Sequence, residues 1–325
     1  MEPNIIKITE NVFQIIITYS NLWNVNAYLI VDDKLTLIDT GHYYKDSVTI
    51  LENSLKKLGY EFHDLDCIIY THPHVDHAGG GLRISKNHKN IIHIAYHRAA
   101  STLENLSEYC RQFVKLSEKF LNTIARDAPP ELIRGTKEVF NIYNLSEPEL
   151  GLKTVKRITH GELLNLGKTG LRVIHTPSHT PWDISLYEPK QKLLFTGDFI
   201  LEKGTSLLTF LINSDVDNYR SSLKKIQRLD LSIILPGHGN IVDNPYQAIE
   251  HALKQSALLE KNILNVLKQG KKTVPEIVYS LLHGNLNDNI IWYRYIGMVD
   301  TYLKKLLREN KVMKVEENGN RSYCL

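Results

Sequence analysis

The feature that most constrains this chain is a dense group of metal-binding side chains directly after a short apolar run. The pattern H-x-H-x-D-H places four of them within six residues: His72, His74, Asp76 and His77. The preceding run, C-I-I-Y at residues 67–70, has the length and composition of a buried strand. Three imidazoles and one carboxylate suit a borderline-soft divalent cation. Because the spacing alternates, a loop here, stiffened by a proline, would divide its ligands between two neighbouring ions.

A site for two ions needs more ligands than one cluster supplies, and three further candidates follow other strand-like runs. They are His179 in H-T-P-S-H-T-P, Asp198 in F-T-G-D and His238 in P-G-H-G. Each of these residues alone would be weak evidence. Loops at the ends of strands on a rigid scaffold are where functional sites are usually built. We therefore expect the three residues to complete one metal site with the first cluster.

The remaining patterns predict strands and helices in both halves of the chain. Strand-like segments lie at 12–19, 25–31 and 34–39, again between about 155 and 196, and last at 233–235. Apolar residues at helical spacing predict helices at 45–58 and near 217–229.

Two segments stand apart from this framework. Residues 95–150 are helix-like, and their apolar stripe consists of Leu103, Leu106, Cys110, Phe113, Leu116, Phe120 and Ile124. They predict a helical insertion packed on the core, with a lid and a dimer interface as its alternative roles. Residues 250–325 predict three helices and then a hairpin with Asn318-Gly319 as its turn. This order predicts a winged-helix-like domain after a main domain at 1–245.

Composition limits the classes to which the chain can belong. Its 325 residues are 42% hydrophobic and 23% charged, which is ordinary for a soluble globular protein and excludes a disordered one. The net charge of +3 is too small to imply a polyanionic partner by itself. Three widely separated cysteines fit a reducing cytoplasm. The apolar runs are too short to span a membrane and no secretory signal is visible, so we expect a cytoplasmic protein without a membrane partner.

In this order and with these contexts, the motifs resemble those of the metallo-β-lactamase-fold hydrolases over about residues 5–245. The resemblance implies an α+β fold, the four-layer αββα metallo-β-lactamase sandwich, to which the helical insertion and the winged-helix-like domain are added. It also implies the metal ligands: His72, His74 and His179 for the first ion, Asp76, His77 and His238 for the second, and Asp198 as a bridge. Asp39 in L-I-D-T-G matches a family position that supports the ligand loop, although a simple strand-end turn explains it equally well.

Two departures from the family pattern lie beside these ligands. The family's G-H-T-P-G becomes Ser178-His179-Thr180-Pro181-Trp182 here, and Asp183 stands where many members have His or Ser. Neither departure removes a ligand. They bear on the substrate and not on metal binding.

The resemblance implies a metal-dependent hydrolase in which two divalent ions share a hydroxide that acts as the nucleophile. Asp76 is then the candidate to accept a proton during attack, so it is a predicted catalytic residue as well as a ligand. Asp39 and Thr71 are the candidates to orient the ligands through outer hydrogen bonds. Zinc is the default ion for these ligands, with iron and manganese as alternatives.

The scaffold alone does not decide the substrate. The preferred interpretation is hydrolysis of a small-molecule ester, thioester or lactone, with the insertion as a pocket wall and a homodimer as an open question. Residues 199–202 lack the tyrosine that acyl-homoserine-lactone hydrolases of this fold place there, which disfavours that substrate. The alternative is a single-strand endoribonuclease or phosphodiesterase that uses the modest basic excess after residue 255 to bind RNA. A DNA-binding protein with a vestigial site conflicts with the intact ligands, and a diiron redox protein would need a flavin-binding domain.

Overall fold

The structure of the 325-residue chain is a computed structural model. It describes residues 4–18, 24–126, 128–130, 132–134, 137, 141–143, 150–202, 214–284, 289–317 and 320–325. Two β-sheets lie at its centre, and helices cover their outer faces. Within these residues, no helix combines the length and the apolar character that crossing a membrane requires.

The first sheet contains seven described strands in sequence order. They are β1 Asn4–Lys7, β2 Val12–Thr18, β3 Asn24–Ile30, β4 Thr36–Ile38, β5 Cys67–Tyr70, β6 Ile92–Tyr96 and β7 Val155–Ile158. Neighbours from β1 to β4 are antiparallel, whereas those from β4 to β7 are parallel. Parallel pairing brings the carboxyl ends of β4 and β5 to the same edge. The strands predicted at 12–19, 25–31, 34–39 and 67–70 are confirmed.

The second sheet contains five described strands in the order β12-β11-β10-β9-β8. They are β8 Leu163–Asn165, β9 Gly170–His175, β10 Ile184–Glu188, β11 Leu193–Gly197 and β12 Ile233–Pro236. Strands β8 to β11 are antiparallel, and β12 joins β11 in parallel. The register of β11 against β12 shifts between Phe195 and Gly197. Such an irregularity re-aims the side chains that follow it, and Asp198 is the next residue.

Eight α-helices are described. They are α1 Lys45–Lys57, α2 Val75–Asn87, α3 His97–Glu104, α4 Leu106–Thr123, α5 Val216–Ile226, α6 Pro245–Leu267, α7 Val274–Leu281 and α8 Asn289–Arg308. The insertion contains α3, α4 and a short 3-10 helix at Asn141–Tyr143. At the other end of the chain, β13 Met313–Glu317 pairs antiparallel with β14 Asn320–Cys324 after α8, as predicted. The predicted turn Asn318-Gly319 lies outside the described residues.

Neighbouring residues of a strand point to opposite faces of the sheet, and their packing here identifies four layers. In the first sheet, Ile69 lies in the core between the sheets, whereas Ile68 belongs to the outer cluster with residues of α1 and α2. In the second sheet, Phe195 lies between the sheets, and Leu194 belongs to the outer cluster with residues of α5 and α6. The fold is therefore the predicted four-layer αββα sandwich.

The start of α2 differs from the expectation and positions the site. The polar segment after β5 is predicted as a loop, but α2 begins at Val75, so Asp76 and His77 lie in its first turn. Three consecutive glycines make this a poor helix by propensity, yet they permit close packing. An added Cβ at Gly80 would lie 2.3 Å from the carbonyl oxygen of Thr40. The amide of Thr40 donates to the carbonyl oxygen of His77 at 2.8 Å, which ties the helix to the loop after β4.

Candidate metal centre

All seven predicted ligand side chains lie together at one edge, where strands of both sheets end. His72 and His74 follow β5, Asp76 and His77 begin α2, and His179, Asp198 and His238 follow β9, β11 and β12. Their ligand atoms form overlapping groups of three, and within each group the atoms lie within 4.8 Å of one another. Both sheets therefore contribute to a single cluster.

The first group consists of the imidazoles of His72, His74 and His179. Nδ1 of His74 lies 3.1 Å from Nε2 of His72 and 2.8 Å from Nε2 of His179. All three rings are buried. Burial lowers the pKa of His72 and of His74 well below the ordinary value. The neutral form, which has a lone pair to offer a metal, is therefore favoured at both residues.

The second group consists of Asp76, His77 and His238. Nε2 of His238 lies 3.2 Å from Nε2 of His77 and 3.4 Å from Oδ2 of Asp76. Burial opposes positive charge here, but the nearby carboxylates, Asp198 first, raise the pKa of His77 well above its ordinary value and that of His238 to about 10. The direction of both shifts means that this part of the cluster favours a cation.

Asp198 lies between the two groups. Its Oδ1 is 3.3 Å from Nε2 of His77, and its Oδ2 is 3.5 Å from Nε2 of His238 and 3.7 Å from Nε2 of His179. Burial disfavours the charged carboxylate, but His238 and His77 hold its pKa well below the ordinary value. One carboxylate thus reaches both groups, which is the geometry that a bridging ligand needs.

Asp39 fixes the orientation of rings in both groups. Its Oδ1 accepts the N–H of Thr71 at 2.9 Å, and its Oδ2 accepts the hydroxyl of Thr71 at 2.7 Å and Nδ1 of His77 at 2.9 Å. Because a carboxylate only accepts, Nδ1 of His77 carries the proton and Nε2 keeps its lone pair. The hydroxyl of Thr71 has used its proton, so it accepts from Nδ1 of His72 at 3.0 Å. The lone pair of His72 is then also on Nε2.

A backbone oxygen orients His238 in the same way. Nδ1 of His238 lies 2.5 Å from the carbonyl oxygen of Asn24 at the start of β3, so Nδ1 donates and Nε2 keeps the lone pair. On the neighbouring loop, the hydroxyl of Ser214 donates to the carbonyl oxygen of His179 at 2.7 Å. Asn24 is not predicted from the sequence, because any residue supplies a carbonyl oxygen.

The donor set fits divalent cations. In the neutral form of each ring, a partner on the outer side holds the proton of His72, His77 and His238, so the nitrogens that face the site offer lone pairs. Clustered acceptors repel one another, and a cation between them removes that repulsion. Imidazole and carboxylate together are a typical ligand set for zinc, and iron and manganese accept the same atoms.

His42 is a residue near the site that the sequence analysis did not identify. The N–H of Tyr44 donates to Nδ1 of His42 at 3.2 Å, so Nε2 carries the proton and donates to the carbonyl oxygen of Ile142 at 2.9 Å. Burial lowers the pKa of His42, which keeps the ring neutral. The contact fastens the 3-10 helix of the insertion to the loop after β4. The signal that could have identified His42 is its place directly after L-I-D-T-G, at the end of a strand.

The insertion packs aromatic rings against the first group. The centroid of the His74 ring lies 6.3 Å from that of Tyr109, 6.1 Å from that of Phe113 and 5.9 Å from that of Tyr143. Tyr109 in turn lies 6.2 Å from Trp182 on the loop after His179. Phe113 and Tyr143 are buried, whereas Tyr109 and Trp182 are only partly buried. The insertion therefore forms an aromatic wall beside His74.

Asp183 holds the loop that carries His179. Its Oδ2 accepts the hydroxyl of Ser178 and the N–H of Thr180, both at 2.8 Å, and its Oδ1 accepts the hydroxyl of Thr180 at 2.5 Å. Burial raises the pKa of Asp183 to about 6 despite these donors. Side-chain hydrogen bonds thus fix a turn from which the expected glycines are missing.

Comparison with known proteins agrees with the fold and the motifs. The family model of the metallo-β-lactamase superfamily matches residues 20–238. A β-lactamase-like protein 2 homolog of Drosophila melanogaster is 27% identical over 99% of this chain and 96% of its own length. An atrochrysone carboxyl ACP thioesterase of Paecilomyces divaricatus is 26% identical over 63% of this chain and 67% of its own length.

A solved structure shares the fold over nearly the whole chain. The crystal structure of a metallo-β-lactamase family protein from Thermus thermophilus superposes with a TM-score of 0.77 and 20% sequence identity. It covers 98% of this chain and 99% of its own. The family match spans the ligand motifs from Asp39 to His238. The chain therefore belongs to the metallo-β-lactamase superfamily, a family of hydrolases that bind divalent metal ions.

Proposed function

We propose that this protein is a hydrolase with two divalent metal ions that cleaves a small-molecule ester, thioester or lactone. The observation that carries the proposal is the pair of three-ligand groups with Asp198 within reach of both. We assign His72, His74 and His179 to one ion, Asp76, His77 and His238 to the other, and Asp198 to both. Zinc is the ion that we favour for this donor set.

The side chains have separate tasks in this proposal. When bound, the ions would supply Lewis acidity to the scissile carbonyl and to the attacking water. Asp76 would take the proton of that water. Burial opposes its charge, but His77 and His238 hold its pKa well below the ordinary value, so it is ionised before attack. Asp39 and Thr71 would keep the lone pairs of His72 and His77 directed at the ions.

The wall beside the first group supports an acyl substrate. The rings of Tyr109 and Trp182 suit an apolar acyl group better than a charged phosphate backbone. The relative from Paecilomyces divaricatus is named as a thioesterase, which is consistent with cleavage of a thioester. We therefore favour acyl transfer to water over the alternative, cleavage of single-stranded RNA or another phosphodiester.

We also propose that residues 1–245 form the hydrolase domain and residues 250–325 a winged-helix-like domain. The order of α6, α7, α8 and the hairpin supports this division, as does the mutual backbone pairing of Lys272 with Tyr323. Glu260 of α6 forms an ion pair with Arg220 of α5 at 2.7 Å and another with Lys305 of α8 at 3.1 Å. The pair of Arg220 with Glu260 would join the two domains, and the pair of Glu260 with Lys305 would lie within the second one.

A substrate panel tests the function. The zinc-loaded protein is assayed with thioesters, lactones, aryl esters and single-stranded RNA, and bound metal is counted by mass spectrometry. We expect two ions per chain and acyl turnover that is insensitive to salt. Cleavage of RNA should instead weaken steeply with salt, because phosphate binding releases counterions.

The matched variant is Asp76→Ala, which removes a ligand of the second group and the proposed proton acceptor. It should lose both one ion and the acyl turnover. Turnover that persists in Asp76→Ala, or cleavage of RNA without any acyl turnover, would overturn the proposal. The same panel with iron or manganese in place of zinc identifies the ion that supports the highest rate.

A further inference from the structure

Two aromatic side chains beside the first ligand group share one feature: each is partly exposed and each is held in place by a neighbour. Tyr109 lies near the start of α4, and Trp182 lies three residues beyond His179. The N–H of Trp182 donates to the hydroxyl of Thr180 at 3.2 Å, and Asp183 accepts from the same hydroxyl and from the N–H of Thr180. The backbone at Trp182 is therefore fixed by its own loop.

The two rings form a corner. Their centroids lie 6.2 Å apart with an interplanar angle of 67°, the edge-to-face arrangement that aromatic pairs prefer. The ring of Tyr109 is nearly parallel to that of His74, at 26°. Behind them, Phe113 and Tyr143 stack at 3.9 Å and are almost completely buried. The inner pair lies behind the wall, whereas Tyr109 and Trp182 are each only partly buried.

We propose that Tyr109 and Trp182 form an aromatic corner that selects substrates whose acyl group carries a flat aromatic ring. This inference rests on the proposed acyl hydrolase function, because a carbonyl at the first ligand group places its substituents next to His74 and His179. The ring of Tyr109 lies 6.3 Å from that of His74 and 6.2 Å from that of Trp182, so a substituent that carries a ring would extend towards the corner. A flat ring gains stacking with an aromatic face, beyond the burial that any apolar group of its size obtains.

The chemistry makes the preference measurable. Phenylacetyl and cyclohexylacetyl thioesters have the same connectivity, but the saturated ring has the larger apolar surface. Burial alone therefore favours the cyclohexyl compound. Stacking should reverse this order, with kcat/KM for the phenylacetyl thioester about 2- to 12-fold higher.

Variants of Trp182 separate stacking from bulk. Trp182→Phe keeps an aromatic face and should keep the preference for the phenyl compound. Trp182→Leu keeps an apolar side chain and should lower the ratio of the two kcat/KM values to 1 or below. Leu258 lies exposed on α6, outside the insertion, and Leu258→Ala is the control that should leave the ratio unchanged. Thermal unfolding and metal content show whether each variant is folded and loaded.

A second readout does not depend on turnover. Binding of phenylacetate and of cyclohexylacetate, the two products, is followed by tryptophan fluorescence in the metal-loaded protein and in Trp182→Phe. The chain has three tryptophans, so the difference between the two proteins isolates the signal of Trp182. We expect phenylacetate to bind more tightly and to change that signal.

The outcomes distinguish the two proposals. Absence of turnover of every thioester, ester and lactone in the panel, together with tighter binding of phenylacetate at Trp182, would contradict the hydrolase proposal and support the corner. Turnover of both thioesters with a ratio at or below 1, or a ratio that Trp182→Leu leaves unchanged, would overturn the corner and leave the hydrolase proposal intact. Equal binding of the two products would also overturn it.

Discussion

Replacement of Asp39 by Asn tests whether one carboxylate orients ligands of both proposed ions. Asp39 has a φ of +58°, in the left-handed region that Asn tolerates, so the backbone has no reason to change. The new amide can keep an acceptor oxygen for the N–H of Thr71. Its NH2 group then stands where Oδ2 accepts the hydroxyl of Thr71 and Nδ1 of His77. At His77, the new NH2 group would face the N–H at Nδ1, and both of these groups are donors.

The two ligand groups should respond differently. The hydroxyl of Thr71 can rotate and still accept from Nδ1 of His72, so the first group keeps its lone pairs. The ring of His77 has no such freedom, and its proton must move to Nε2, the atom that lies 3.3 Å from Asp198. The second ion should then bind about 10- to 100-fold more weakly, equivalent to about 1.4–2.8 kcal/mol. The first ion should bind almost as before.

Competition with a chromophoric zinc chelator measures this difference. In a His179→Ala background, which weakens the first group, adding Asp39→Asn should remove most of the remaining tight binding. In an Asp76→Ala background, which weakens the second group, the same change should have little effect. An equal loss of zinc affinity in the two backgrounds, or no loss in either, would refute the inference that Asp39 sets the tautomer of His77.

Three further changes test the packing and the hydrogen bonds of the fold. Gly80→Ala should lower the free energy of unfolding in urea by about 1–3 kcal/mol or more, because its Cβ would lie 2.3 Å from the oxygen of Thr40. Gln14→Met should raise it by about 1–3 kcal/mol, since both amide atoms of the buried Gln14 lack a described partner. Burial opposes the charge of Asp32, but hydrogen bonds from Thr169 and nearby amides lower its pKa to about 2. Its contribution to stability is therefore complete above about pH 4 and is lost as the pH falls towards 2. Asp32→Asn should remove that part of the pH dependence, so urea unfolding curves of the two proteins should converge in acid.

The parts of the fold that the sequence predicts well are those in which the local pattern and the burial agree. Side chains of strands β2 to β5 alternate between the core that lies between the sheets and the outer cluster under the helices, or are buried on both faces. Their composition alone therefore identifies them as strands. The predicted ligands His179, Asp198 and His238 follow such strands. Their convergence follows from the topology of the two sheets, which places these strand ends at the same edge as the end of β5.

The start of α2 could not be predicted in the same way. Its residues 78–81 are A-G-G-G, which by propensity belong in a loop. The helix exists because the glycines let it approach the loop after β4, where the N–H of Gly80 donates to the carbonyl oxygen of Gly41 at 2.8 Å. That partner lies about forty residues away in the chain. The sequence around the glycines therefore does not predict this contact.

The insertion shows a smaller error of the same kind. Leu116 belongs to the predicted apolar stripe, but 47% of it is exposed, and Ser117 occupies the buried face instead. The hydroxyl of Ser117 donates to the carbonyl oxygen of Phe113 at 2.7 Å within α4, so its burial leaves no unpaired donor. The stripe also does not belong to one helix, because α3 ends before Asn105. When apolar residues extend around much of a helix, residue type alone does not show which of them will face the core.

The edge position of the metal centre has a consequence for the folding of the whole domain. In our assignment, each ion takes ligands from the side of β5 and α2 and at least one from a loop of the second sheet, His179 or His238. The free energy of ion binding would then also stabilise the contact between the two sheets. An ion at 100 times its dissociation constant contributes about 2.7 kcal/mol to the stability of the folded protein. Removal of the ions by a chelator would therefore loosen the edge of the sheets that carries the site first, while the apolar core between the sheets remains packed. When metal is scarce, the backbone at this edge would become exposed. Amide hydrogen exchange would be faster there, and a protease would cut there first.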